Sequence, residues 1–187
     1  MIQELYQVGI LAESEFCEDL DFMAVPDIQE ECPAAKSEQE LREYFKNLSI
    51  KRKITHAVIH CAATQPTASV SSILNYWKNT LKWQNPGYHI LIGTSGFTVL
   101  SDFNNVTNGA IGYNACGVHF SYIGGIDSSG KPKDTRTELQ KHLLKVCLEE
   151  IRRLIPNIKV IGHNEVAAKA CPSFKVKEAY PEFWTGK

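Results

Sequence analysis

THAVIHCAA (55–63), with β-branched Thr55, Val58 and Ile59 and with His56, Val58 and His60 on one face at a two-residue period, predicts a strand. YHILIGT (88–94) reads as a buried strand. FTVLSDF (97–103) follows it across a Ser-Gly turn, so the two predict a hairpin. CGVHFSYIG (116–124) and the short IKVIG (158–162) complete the strand set. The period changes to that of a helix in three places. SEQELREYFKNL (37–48) starts with a capping pair, Ser37 and Glu40. SVSSILNYWKNTLKW (69–83) repeats Ile73, Leu74, Trp77 and Leu81 at helical spacing. TELQKHLLKVCLEEIRRLI (137–155) has a second capping pair, Thr137 and Gln140, and an apolar face drawn through Leu139, Leu143, Val146 and Ile151. Strands interspersed with helices, and one hairpin, predict an α/β fold: a mixed central sheet of about five or six strands flanked by helices.

Charge divides the chain more sharply than hydropathy does. Residues 1–43 carry 12 acidic and 2 basic side chains, and residues 44–187 carry 9 acidic and 18 basic ones. The expected organisation is an acidic, partly helical N-terminal extension over residues 1–50 and a basic body over 51–187. In the extension, Phe16, Leu20, Phe22 and Met23 could pack on the body. A basic body suits an anionic polymer, or is simply a solvated surface. Its basic residues are scattered and no exposed aromatics interleave them, which argues against a nucleic-acid partner.

No apolar run approaches the roughly 20 residues that span a bilayer, so no membrane insertion is expected. The opening MIQELYQVGILAESEF lacks the basic start and apolar core of a secretory leader, so the chain is expected in the cytoplasm as synthesised. Six cysteines (Cys17, Cys32, Cys61, Cys116, Cys147 and Cys171) are widely spread without a CxxC pair. They predict buried free thiols rather than a disulfide framework, with Cys61 and Cys116 in strands and Cys147 in a helix.

The chemistry concentrates in GHNEVAAKACPSF (162–174). An imidazole (His163), an ammonium (Lys169) and a thiol (Cys171) fall within nine positions, among small residues, at the end of a strand. Nitrogen and sulfur together suit zinc. A third ligand has to come from elsewhere, and His60, near the end of the first predicted strand on the face shared by His56 and Val58, is the candidate. Two imidazoles and a thiolate with an open fourth position form a catalytic zinc set. Taken singly, each of these residues reads as an ordinary surface or core residue; the combination carries the inference.

Four segments in order resemble the zinc-dependent N-acetylmuramoyl-L-alanine amidases, the family that includes phage amidase-type lysozymes and peptidoglycan recognition proteins. They are VIHCAAT, PGYHILI, GYNACGVHFSYIGGID and GHNEVAAKACPSF, spread over about residues 54–176. The resemblance implies hydrolysis of the amide between N-acetylmuramic acid and L-alanine, with zinc held by His60, His163 and Cys171. It implies active-site roles for Tyr88 and Lys169, and peptidoglycan or muropeptides as partner, met by a monomer once it reaches the wall. The alternative is a binding module of the same fold without turnover. The sequence departs from several relatives at Gly109, where they carry a histidine five residues before the Asn of the GYN element, and in its acidic extension, which either limits access to the groove or is a solvated tail.

Overall fold

The structure, a computed structural model, describes residues 38–186. Ser37, Cys17, Cys32 and the four apolar residues of the acidic extension lie outside the described residues. The elements are α1 (Glu38–Lys46), β1 (His56–Cys61), α2 (Val70–Asn75) running into a π-helical turn (Tyr76–Thr80), β2 (Ile90–Ile92), β3 (Phe97–Val99), β4 (Gly117–Tyr122), α3 (Glu138–Leu154), β5 (Lys159–Gly162), a 3-10 turn (His163–Glu165) and α4 (Val176–Ala179).

The five strands form one sheet in the order β3-β2-β4-β1-β5. β1 runs parallel to β4 and β5, β2 runs parallel to β4, and β3 pairs antiparallel with β2 as the hairpin pattern predicts. The register matches Ile59 with Phe120 and with Gly162, and Ile90 with Phe120. Since side chains alternate across a sheet, this register sorts them into two layers.

One face carries Ala57, Ile59, Cys61, Ile90, Ile92, Val118, Phe120, Tyr122 and Val160, and these belong to the main core with α1 and α3. The other carries Val58, His60, Leu91, His119, Ser121 and Ile161. Here α2 and the π-helical turn cover Leu91 with Ile73 and Trp77, and Ala110 covers Val58 and Ile161. The chemistry therefore sits on the face that the two long helices leave free.

α3 is capped as predicted: Thr137 accepts from the Gln140 backbone N–H, and the Gln140 side chain accepts from Thr137 N–H. The Gln140 amide then donates to the carbonyls of Ile92 and Ile123, fixing the helix start to the ends of β2 and β4. The apolar face differs in one member. Leu139 is exposed, and Leu143, Leu144, Val146, Cys147, Leu148 and Ile151 are buried. Leu139 falls in the first turn, where the capping geometry aims Gln140 at the sheet and turns its neighbour outward. Cys116 lies in a turn just before β4 instead of in the strand, and Cys61, Cys116, Cys147 and Cys171 are all free thiols.

α1 packs on α3. Leu41 and Phe45 are fully buried, with the Phe45 ring edge-on to Phe103 at 5.6 Å and close to Phe120 at 6.3 Å. Arg42 spans the helix pair, reaching Glu149 at 2.5 Å and Glu150 at 2.6 Å. These ion pairs are partly exposed, so the rings carry most of the attachment. Phe45→Ala should cost about 3–5 kcal/mol; a denaturant midpoint unchanged by it would show that α1 is dispensable. A truncation that probes the acidic extension must accordingly stop before Glu38.

Candidate metal centre

His60 is the penultimate residue of β1, on the free face. β5 pairs Gly162 with Ile59, so the next residue, His163, emerges beside His60 on the same side of the sheet. Their Nδ1 atoms lie 3.1 Å apart. The third group arrives on the loop after the 3-10 turn, with Cys171 Sγ 3.7 Å from His60 Nδ1. The three donor atoms lie within 4.8 Å of one another, the one such cluster of His, Cys and acidic side chains among the described residues.

The loop that delivers Cys171 is tied down at many points. Glu165 accepts from Gly162 N–H and from the Trp184 indole N–H, and Asn164 donates to Phe174 O. Tyr122 OH donates to Pro172 O at 2.8 Å, and Ser173 donates to Gly125 O at 2.7 Å. The Arg136 guanidinium stacks on Phe174 at 3.3 Å from the ring centre, held by Asp134 and the Tyr180 hydroxyl. Gly125 has a φ of +102°, and a Cβ there would come within 2.4 Å of Cys61 Sγ, so only glycine lets this loop close over the end of β1. The thiol itself receives a hydrogen bond from Cys61 N–H at 3.2 Å.

The electrostatics suit a cation. Burial, reinforced by His119, His163 and the positive charge of Lys169, holds His60 well below the usual imidazole range. Burial and Lys169 push His163 down to about 4. Both rings are therefore neutral near pH 7, as ligands must be. Burial pushes the Cys171 thiol well above its usual range, so its ionisation requires a positive charge within reach, and a divalent ion supplies one. Tetrahedral zinc with ordinary bond lengths spaces two nitrogens by about 3.3 Å and nitrogen from sulfur by about 3.6 Å. The two separations from His60 Nδ1 are close to these values, and all three donors lie within 4.8 Å of one another, so the donor set fits zinc.

Tyr88 stands just before β2. Its ring lies 5.1 Å from that of His60, and its hydroxyl donates to Cys61 O at 3.2 Å. Burial raises its phenol well above the usual range, so it remains a proton donor. Lys169 is exposed on the rim, in a turn closed by Lys169 N–H to Ala167 O, and its charge reaches both imidazoles. The structure thus brings His60, His163 and Cys171 together, with Tyr88 beside them and Lys169 at the edge.

Sequence reading missed a second pair of histidines behind His60. His119 Nδ1 lies 3.0 Å from His60 Nε2, and His119 N–H donates to His89 Nδ1 at 3.0 Å. His89 in turn reaches Asn105 O at 3.2 Å, beside Arg52. The signal was present as a polar residue inside the apolar strand GVHF. Burial pushes His89 down to about 4 and His119 to about 3. Depressed imidazoles give stability that is complete above the unfolded value near 6.5 and is lost as pH falls toward 4, because the unfolded chain then binds more protons. His89 alone accounts for about 2 kcal/mol lost by pH 5. His89 alone should therefore lower the unfolding temperature of chelator-treated protein by about 4–8 °C between pH 7.5 and pH 5, the other buried rings adding to this, and His89→Asn, which cannot titrate, should shrink the difference. A melting temperature indifferent to pH across this interval would contradict the burial of these rings.

The mixed sheet thus presents His60 and His163 at the ends of two parallel strands, with Cys171 on the loop beside them, a donor set of the kind that can hold a metal ion. The chain belongs to the N-acetylmuramoyl-L-alanine amidase family, whose model matches residues 50–174. It is 34% identical to the endolysin of Escherichia phage T7 over 131 residues, 68% of this chain and 86% of that one. It is 33% identical to the endolysin of Klebsiella phage KP32, over 68% of this chain and 86% of that one. An N-acetylmuramoyl-L-alanine amidase of Mus musculus matches 97% of this chain at 24% identity, and the match takes in 35% of that larger protein. The fold is shared with the ectodomain complex of the peptidoglycan recognition proteins LCa and LCx bound to tracheal cytotoxin, at a TM-score of 0.62 and 22% identity over 83% of this chain and 93% of the other. It is shared also with the Ph2119 endolysin of a Thermus scotoductus phage, at a TM-score of 0.60 and 15% identity over 78% and 97%. Among the described residues no helix is long and apolar enough to cross a membrane.

Proposed function

We propose that this family member is a zinc-dependent hydrolase of the amide between N-acetylmuramic acid and the L-alanine of the peptidoglycan stem. The observation that carries the reading is the convergence of His60 Nδ1, His163 Nδ1 and Cys171 Sγ at spacings that suit a tetrahedral ion. His60, His163 and Cys171 would hold zinc, which supplies an acidic bound water and polarisation of the scissile carbonyl.

The protein's own groups do the rest. Hydrolysis adds hydroxyl to the carbonyl carbon, breaks the C–N bond and returns a proton to the departing amine. Lys169, cationic and free to turn inward from the rim, steadies the negative charge that develops on the carbonyl oxygen. Tyr88, kept protonated by burial, hydrogen-bonds the attacking or departing group once it leaves the Cys61 carbonyl, and can pass a proton. The sheet face beneath, with Val58, Leu91 and Ile161, is buried, so His60 and His163 are held in place before substrate arrives.

The test is to incubate the zinc-loaded protein with intact sacculi and with soluble muropeptides, with and without chelator, and to identify new chain ends by mass. Free amino-terminal L-alanine, formed only without chelator, is expected. Binding to either substrate with no new ends would make the chain a recognition module instead.

A further inference from the structure

We propose that His119 is a positioning residue that selects the metal-binding tautomer of His60, an inference that rests on the zinc reading above and adds to it. His60 is 1% exposed, and its Nδ1 faces both His163 and Cys171. To donate an electron pair there, Nδ1 must be bare, so the single ring proton has to sit on Nε2. A buried N–H needs an acceptor. His119 Nδ1, at 3.0 Å, is that acceptor. With the proton pinned on Nε2, the ring cannot flip or change tautomer without losing a buried hydrogen bond. Partners behind a ligating imidazole commonly have this effect on ring orientation and basicity.

Three features place His119 for this task and no other. First, its remaining ring nitrogen, Nε2, is buried without a hydrogen-bond partner among the described residues, so the contact to His60 is the ring's polar purpose. A leucine in the same place would avoid that unpaired group. Second, the ring fills a slot left open by Gly109. A Cβ on Gly109 would lie 2.4 Å from His119 Nδ1 and 2.6 Å from Cγ. Third, the ring is fixed from behind. The His119 backbone N–H donates to His89 Nδ1, the two rings lie parallel within 9°, and His89 Nε2 is directed at Asn105 O. β4 thus supplies, one strand over from β1, a neutral acceptor whose ring lies against that of a second histidine, which the His119 backbone N–H itself holds.

Two near-isosteric substitutions separate positioning from packing. His119→Asn puts a carbonyl oxygen where Nδ1 stood; His119→Leu fills similar space and accepts nothing. Zinc affinity is measured by competition with a chromophoric chelator, with the fold of each metal-free variant checked by circular dichroism and thermal melting. His119→Leu should weaken zinc binding about 10–100-fold, while His119→Asn stays within about threefold of the parent, although both fold. kcat/KM at limiting zinc should follow the same order. Equal affinity in the leucine variant and the parent, alongside loss of zinc in His60→Ala, would overturn the role of His119 and leave the metal centre standing. Equal weakening in the leucine and asparagine variants would likewise overturn it, since packing alone would then account for the effect. Zinc bound as tightly by His60→Ala as by the parent would remove the metal centre and this inference together.

Discussion

Replacing His60 with alanine should abolish zinc retention, and amide hydrolysis with it. The expected loss of affinity exceeds the roughly 100-fold that removal of a supporting contact can cause, because one of three protein donors is gone and the fourth position cannot compensate. His60 stands between the other two donors and the His119 relay, so the substitution also leaves His119 Nδ1 without its partner. It does not remove a core side chain from the helix-covered face of the sheet, where the main hydrophobic cluster lies. The variant should therefore fold. Metal content after dialysis, read by elemental analysis beside a melting curve, checks both halves of the expectation. An equimolar ion in a folded His60→Ala protein would mean that the three donors do not share a metal.

The parts of this architecture legible from residue order are those where local chemistry and tertiary packing agree. α3 declares itself through Thr137 and Gln140, and the same glutamine goes on to clamp two strands. β1 and β5 are short strands with apolar centres, and their parallel register, Ile59 opposite Gly162, brings His60 and His163 to the same end of the sheet. Where a residue answers to something distant, its role was not legible. Leu139 has the right spacing for the apolar face, yet cap geometry turns it outward. The helix expected over 69–83 breaks into α2 and a π-helical turn that seats Trp77 against Tyr88, a contact between segments that periodicity cannot register. The acidic composition of residues 1–43 hides that Leu41 belongs to the core of the body. His119 is the sharpest case. A lone histidine in a strand carries no meaning until the sheet register sets it diagonal to His60, and the glycine that makes room for it is ten residues away in a loop.

Lys169→Ala should give the opposite dissociation of effects from His60→Ala: metal kept, turnover lost. The side chain is exposed, and it contributes no ligand. Its truncation should change stability by no more than about 0.5 kcal/mol. Its positive charge lowers proton affinity at both His60 and His163, and by the same Coulomb interaction it opposes a cation between them, so zinc should bind no more weakly without it. What disappears is the charge available to the carbonyl oxygen as it becomes an oxyanion. Loss of one such stabilising group costs about 100- to 1000-fold in kcat, with KM moving much less because the ground-state amide carries little charge there. Lys169→Arg should recover part of the loss, limited by the different reach of a planar guanidinium. Steady-state kinetics on a soluble muropeptide, run at matched zinc content, separates these terms. An alanine variant with unchanged kcat would take Lys169 out of the reaction and return it to the solvated rim, leaving Tyr88 as the remaining protein group beside the ligands to assist the departing amine.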